Sequence, residues 1–364
     1  MDCDVQKTAV EARIAGLVRS AMGPRDEDES PSAACETVLG EVTGQALTSS
    51  EGGKRLRALL ALDTFDAVRP ASPDGDADAK RMRDAMLDLA CAIEVFQTAA
   101  LVHDDIIDES DLRRGKPSAH RALAEATRST SIGNGLGIML GDLLATASVD
   151  IANTAARVLH PHDAIVAAFL NMHREVEIGQ VLDLAVELTP LDDPHALAEA
   201  SLNVFRWKTA SYTTIAPIEL ALLAAGTDPR QARGRALSVG RPLGLAFQLA
   251  DDLLDVTGSS ARTGKPVGGD IREGKRTVLL ADALESADGS ARRELADMFE
   301  APERSDEQVA RAIELFASTG AIDRSRDRIA RLWRQSREAI GAWDLDDGAR
   351  AAMTAACARF VPMA

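Results

Sequence analysis

Apolar residues recur at intervals of three and four over nearly the whole chain, the period of a helix with one face turned inward. The runs "FQTAALVH" (Phe96–His103) and "GLAFQLA" (Gly244–Ala250) are apolar through successive turns. "RSRDRIARLWRQSREAI" (Arg324–Ile340) is a mixed-charge amphipathic helix suited to a surface. The pattern breaks at Gly23–Ser32, Arg69–Asp78, Leu188–Pro194 and Gly226–Arg230, where Gly, Pro and acids gather. The longest break, Thr257–Thr277, holds five glycines among many charges and is expected to be a functional loop. No fixed-period repeat and no linker interrupts the series. The pattern therefore predicts one all-α domain over residues 1–364, with about a dozen helices and a loosely packed N-terminal segment of about 30 residues.

Composition agrees. Aromatic residues are only 3% of the chain and apolar ones 46%, which favours helix over sheet in a globular protein. A net charge of −16 argues against sequence-independent binding to nucleic acid. Cys3, Cys35, Cys91 and Cys357 are scattered with no CxxC pair and are expected to be reduced thiols. The N-terminus is acidic where a signal peptide would be basic, and Asp142 interrupts the most apolar run, "LGIMLGDLLATASV". A cytoplasmic protein without a membrane span is expected.

Two stretches resist the core-and-surface scheme. "HDDIIDES" places Asp104, Asp105 and Asp108 behind an apolar approach, and "ADDLLDVTG" repeats the pattern with Asp251, Asp252 and Asp255. Residues i and i+4 share a helix face, so like charges are stacked where they repel. One such cluster reads plainly as a solvated acidic helix end. Two, each followed by bases (Arg113, Arg114 and Lys116; Lys265 and Lys275), read as hard oxygen donors for Mg²⁺ beside a diphosphate. In "EGGKRLRALL", Lys54 and Arg57 are expected at i and i+3 of a helix start, a place that suits phosphate. "FRWKTASYT" sets Lys208 and Thr209 in an apolar helix, where a lysine snorkels or reaches a phosphate.

In order, "GGKRLR", "HDDIIDESDLRRGKP", "GDLL", "GQVLD", "KT", "FQLADDLLD" and "GKPVGGDIREGKRT" resemble the trans-polyprenyl diphosphate synthase family over Gly52–Thr277. The resemblance implies an isoprenoid synthase-type helical bundle around a deep cavity, working as a homodimer. It implies that an allylic diphosphate ionises, that isopentenyl diphosphate attacks the cation and that a proton leaves, with three Mg²⁺ at two facing aspartate motifs. Asp104, Asp108 and Asp251 would bind metal, with Asp105, Asp252 and Asp255 beside them. Arg113, Lys208 and Lys265 would hold the allylic diphosphate, and Lys54, Arg57 and Arg114 that of isopentenyl diphosphate. Thr209 and Gln248 would line the reacting centre, Gln180 and Asp183 would face the cavity, and Lys275 would ride on the closing loop. Many members carry His where this chain has Gln97, which donates a hydrogen bond but brings no charge.

In the family, bulk at the fourth and fifth positions before the first aspartate stops elongation. Here these are Ala100 and Ala99, and the next large residue is Phe96, about 12 Å back along the helix at ~1.5 Å per residue. A C20 product, geranylgeranyl diphosphate, is therefore expected. If Phe96 only packs between helices, the product is longer or another helix sets the floor. A farnesyl stop at the alanine level is not expected. A terpene cyclase would need neither the second cluster nor Lys54 and Arg57, and a non-catalytic partner subunit would tolerate loss of aspartates that are all present here.

Overall fold

The computed structural model describes residues 3–23, 31–69, 77–258 and 267–362. Among them the chain is helical apart from one two-residue β-hairpin, as the apolar period predicts. The helices number sixteen, plus one π-helical segment, against the dozen expected. The chain packs as two compact units, residues 1–170 with 220–229 and residues 171–219 with 230–364.

In the first unit, α1 (Cys3–Met22), α2 (Ala33–Ser49), α3 (Leu56–Val68), α5 (Ala119–Thr127) and α6 (Thr130–Ala156) gather about α4 (Ala77–Ile107). The expected loose N-terminus is corrected within the described residues. Val10, Ile14 and Val18 of α1 are at most 1% exposed, and Arg13 makes a two-pronged pair with Asp88 of α4. Both α4 and α6 have the length and apolar content to cross a membrane; the run in α6 is the one interrupted by Asp142, and α4 was not singled out from the sequence. Over that window 72% of α4 is buried in the protein, as in a soluble core helix.

Between α4 and α5 the hairpin pairs β1 (Leu112–Arg113) with β2 (Lys116–Pro117). Its two turn residues, Arg114 and Gly115, have φ of 53° and 76°. Positive φ at both central positions is the turn geometry that matches strand twist, and the arginine holds it at a cost of about 1–2 kcal/mol.

The second unit contains the C-terminal part of α7 (His162–Val186) and α8 (Pro194–Val204), followed by a π-helical segment, Phe205–Ile215. It continues through α10 (Pro229–Thr257), whose Arg230–Thr257 belong here, and α11 (Gly269–Glu273). It ends with α12 (Val278–Ser286), α13 (Gly289–Glu300), α14 (Asp306–Ser318), α15 (Ala321–Gly341) and α16 (Asp347–Ala358). The short α9 (Ala216–Ala224) belongs partly to each unit. The expected long loop therefore contains a helix. Gly179 lies against the backbone of Lys208, and Gly244 against that of Ala210, so tightly that a Cβ at either would overlap the π-helical segment. Small residues on α7 and α10 thus seat the bulge that carries Lys208 and Thr209, and π-bulges of this kind concentrate at functional sites.

Gly244→Val should lower stability to urea by about 1–3 kcal/mol, because the added methyls have nowhere to go. Gly234→Ala on the same helix, where nothing lies within 4 Å, should instead raise it by up to about 1 kcal/mol. Equal effects from the two substitutions would disprove the packing argument.

Candidate active site

The first aspartate cluster ends α4. Asp104 is partly covered and Asp108 is exposed beyond the last helical residue, while Asp105 is only 2% exposed. Asp105 accepts from Arg113 Nε at 2.8 Å and also from Arg113 Nη2, which lies 4.0 Å from Asp104. Asp105 is therefore an anchor that fixes an arginine on the hairpin. His103 contacts the Ile138 carbonyl at 3.1 Å and Asp142 at 3.5 Å, across the space left by Gly141 on α6.

Cations gather beside this helix end. Arg114 donates to the Glu51 carbonyl at 2.6 Å, and Lys116 pairs with the Glu51 carboxylate at 2.8 Å, which ties the hairpin to the glycine loop. Burial and the nearby Arg55 lower the Arg114 pKa. Glu94 opposes the shift, while Arg113 and Arg57 add to it. A pocket of about 440 Å³ is lined by Gly52 and Gly53, by Thr98, Val102 and Asp105 of α4, and by Arg113, Arg114 and Lys116 of the hairpin. Crowded guanidiniums of this kind favour an anion, with bidentate geometry suited to phosphate.

The placing of Lys54 and Arg57 on one helix face is corrected. Helix α3 begins at Leu56, Lys54 lies exposed on the preceding loop, and Arg55 caps the helix with φ of 53°. Arg57 is in the first turn and 7% exposed. The helix starts late because Gly52 and Gly53 also take positive φ and because the carboxylate that caps it, Glu94, comes from α4. Gln97 is half-buried, one turn beyond Glu94.

The second cluster lies near the end of α10. Asp251 is exposed and Asp252 buried. Thr209 donates to the Gln248 carbonyl oxygen at 2.9 Å, and the Gln248 amide donates to Asp252 Oδ1 at 2.9 Å. This chain joins three residues that the sequence listed without connecting them. Among the described residues, Asp252 Oδ2 is buried with no hydrogen-bond partner. Burial, with Asp270 and Asp251 close by, pushes the Asp252 carboxyl well above the usual carboxylate range, against the pull of Gln248 and Lys275. Asp255 accepts the N–H groups of Gly269 and Asp270, each at 3.1 Å, and so caps α11. Asp270, which the sequence reading missed, is raised to about 6 by burial and by Asp255, Glu273 and Asp251, with Lys275 opposing. Only its place in the glycine-rich loop hinted at it.

Lys208 pairs with Asp183 at 2.5 Å, and Gln180 is half-buried one turn before Asp183. Lys275 pairs with Glu273 at 2.8 Å and stands 3.8 Å from Asp270. Lys265 lies outside the described residues. Phe96 is 1% exposed and shares a helix face with His103 seven residues on, the face that meets α6. Ala99 is buried and Ala100 partly so. Among the described residues no three His, Cys or acidic side chains converge as a metal cage. Mg²⁺ needs none, because it takes one or two carboxylates and completes its shell with water and substrate phosphate.

An all-α chain with two aspartate clusters on helices, one beside an arginine-lined pocket, defines an enzyme of diphosphate chemistry. The chain matches the polyprenyl synthetase family over residues 41–316. It is 31% identical to the geranylfarnesyl diphosphate synthase of Aeropyrum pernix, over 76% of this chain and 79% of that one. It is 32% identical to the octaprenyl diphosphate synthase of Escherichia coli, over 65% and 63%. The crystal structure of geranylgeranyl pyrophosphate synthase from Corynebacterium glutamicum, complexed with isoprenyl diphosphate and magnesium, superposes with a TM-score of 0.82 at 32% identity, over 99% of both chains. The chain belongs to the polyprenyl synthetase family and is a prenyltransferase of the trans-prenyl diphosphate synthase type.

Asp270 gives a pH test in metal-free protein. Its folded pKa is raised above the model-peptide carboxylate value, so its stabilising contribution is complete at low pH and is lost as pH rises through about 6. Asp270→Asn should melt higher than the parent at pH 8, and the gap should narrow as pH falls through about 6 and close below about pH 4, where the carboxyl is protonated in the unfolded chain as well. A gap independent of pH would show that Asp270 carries no such strain.

Proposed function

We propose that the chain condenses isopentenyl diphosphate with allylic diphosphates and delivers mainly geranylgeranyl diphosphate. The observation that carries the diphosphate assignment is the Arg114 cluster, where Arg55, Arg57 and Arg113 crowd a fourth guanidinium beside a glycine loop. Lys54, Arg57 and Arg114 hold the diphosphate of isopentenyl diphosphate, helped by Gln97 as a neutral donor. Of the residues expected at the allylic diphosphate, Arg113 stands on the hairpin pinned by Asp105, Lys208 would exchange Asp183 for phosphate, and Lys265 lies outside the described residues. The allylic C–O bond breaks with its electron pair leaving on the diphosphate, and fixed cations stabilise that charge as it develops. Thr209 and Gln248, locked to Asp252, set the polar edge of the reacting centre.

The donor set fits Mg²⁺. Asp104, Asp108 and Asp251 present hard oxygens at least partly open to solvent, and Asp252 Oδ2 is buried with no hydrogen-bond partner among the described residues. Asp255 would join only by sharing an oxygen with the α11 cap. When bound there, Mg²⁺ would supply Lewis-acid neutralisation of the diphosphate, with three ions expected per site.

A cytoplasmic homodimer is part of the proposal. Ile132, Met139 and Leu143 of α6 form one helical stripe and are 52%, 51% and 43% exposed. Met139→Lys with Leu143→Lys should shift a dimer toward monomer in sedimentation velocity, and an unchanged sedimentation coefficient would remove this face from the interface.

Chain length follows from Ala99, Ala100 and Phe96. Incubation with Mg²⁺, labelled isopentenyl diphosphate and dimethylallyl, geranyl or farnesyl diphosphate should give mainly geranylgeraniol after hydrolysis of the products. Phe96→Ala should lengthen it. Unchanged length in the variant would leave Phe96 as helix packing alone, and no elongation from any primer would overturn the enzymatic reading.

A further inference from the structure

Glu94 is an acid in the interior of α4, 2% exposed, with no part in the chemistry above. Its two oxygens have separate tasks. Oε1 accepts the Ala58 N–H at 3.0 Å and so caps α3, and Oε2 stands 3.6 Å from Arg55 Nη1. Arg55 is 3% exposed, and its Nη2 donates to the Ser50 carbonyl just past the end of α2. A single carboxylate therefore ties together the end of α2, the loop Glu51–Arg55 and the first turn of α3. An ordinary cap would come from a Ser, Thr, Asp or Asn at the position of Arg55 itself. Here capping is delegated to α4, and the cap residue is a cation turned inward with φ of 53°, a conformation that an arginine keeps only when its surroundings hold it.

This arrangement has a consequence for the neighbours of Arg55. Lys54 precedes it on the loop, Arg57 follows it in the helix, and Gln97 lies one turn along α4 from Glu94. We propose that Glu94 and Arg55 are positioning residues for isopentenyl diphosphate: their buried pair fixes the loop so that Lys54, Arg57 and Gln97 meet one diphosphate together. The inference rests on the prenyltransferase reading above. A buried guanidinium deprived of its carboxylate is strongly disfavoured. Without Glu94, Arg55 turns outward, its backbone relaxes, and Lys54 and Arg57 lose their shared register. The allylic diphosphate is held by other cations and is not affected.

Glu94→Gln is the informative variant, because the amide oxygen still accepts the Ala58 N–H while the charge is gone. Steady-state kinetics should show KM for isopentenyl diphosphate raised about tenfold or more, with kcat and KM for the allylic substrate within about threefold of the parent. Arg55→Met should give the same split, and it serves as the test if Glu94→Gln does not fold. A lowered melting temperature with unchanged KM for isopentenyl diphosphate, or equal loss in all the constants, would make the pair purely structural and overturn the inference. The two readings fail separately. Absence of elongation by the parent sinks the reaction, whereas an active parent with a kinetically silent Glu94→Gln sinks only the positioning role.

Discussion

A carboxylate taken out of water must find a cation or a set of donors, and the first unit is organised by two such obligations on one helix. Glu94 and Asp105 both lie on the inward side of α4, and each is only 2% exposed. Burying a charge unpaired costs several kcal/mol, far more than an exposed pair contributes. Each acid therefore commits an arginine from a segment that has little structure of its own, Arg55 from the glycine loop and Arg113 from the hairpin. The glycine loop and the hairpin are thus pinned from beneath by a rigid helix, while Lys54, Arg114 and Lys116 stay exposed. Arg114, Lys116 and Glu51 then stitch loop to hairpin directly.

The second unit reaches a similar end by steric means. Gly179 and Gly244 let two helices close on the π-helical segment until a methyl group would not fit. The bulge thus held presents Lys208 toward Asp183, and Thr209 toward Gln248 and Asp252. Polar chains of this kind are held most firmly when every member is bonded, and here the last atom, Asp252 Oδ2, has no partner among the described residues. With Asp270 and Asp251 close by, burial raises the Asp252 carboxyl well above the usual carboxylate range, against the pull of Gln248 and Lys275.

Much of this was legible in the sequence. Helical periodicity and scarce aromatics announced an all-α chain, and the doubled DDxxD marked both clusters because a solvated acidic helix end accounts for one such run but not for two that are each followed by bases. What stayed hidden depends on partners distant in sequence. Glu94 reads as one more polar residue in a long helix until Ala58 and Arg55 are set against it. Asp105 is indistinguishable from Asp104 by type, and only burial separates the anchor from the presented carboxylate. Lys54 seemed helical because nothing local shows that the cap comes from α4. The close packing at Gly179 and Gly244 depends on a segment distant in sequence, and a close approach leaves no mark on the sequence that makes it.

The turn of the hairpin carries a further meaning. At Arg114 the backbone sits where glycine would rest without strain, yet the position holds a charged side chain among other guanidiniums. Backbone conformation and charge make opposite demands on this one residue. A glycine would remove a backbone cost of about 1–2 kcal/mol but would also take a guanidinium out of the cluster, so ease of turning and local positive charge are traded against each other at a single position.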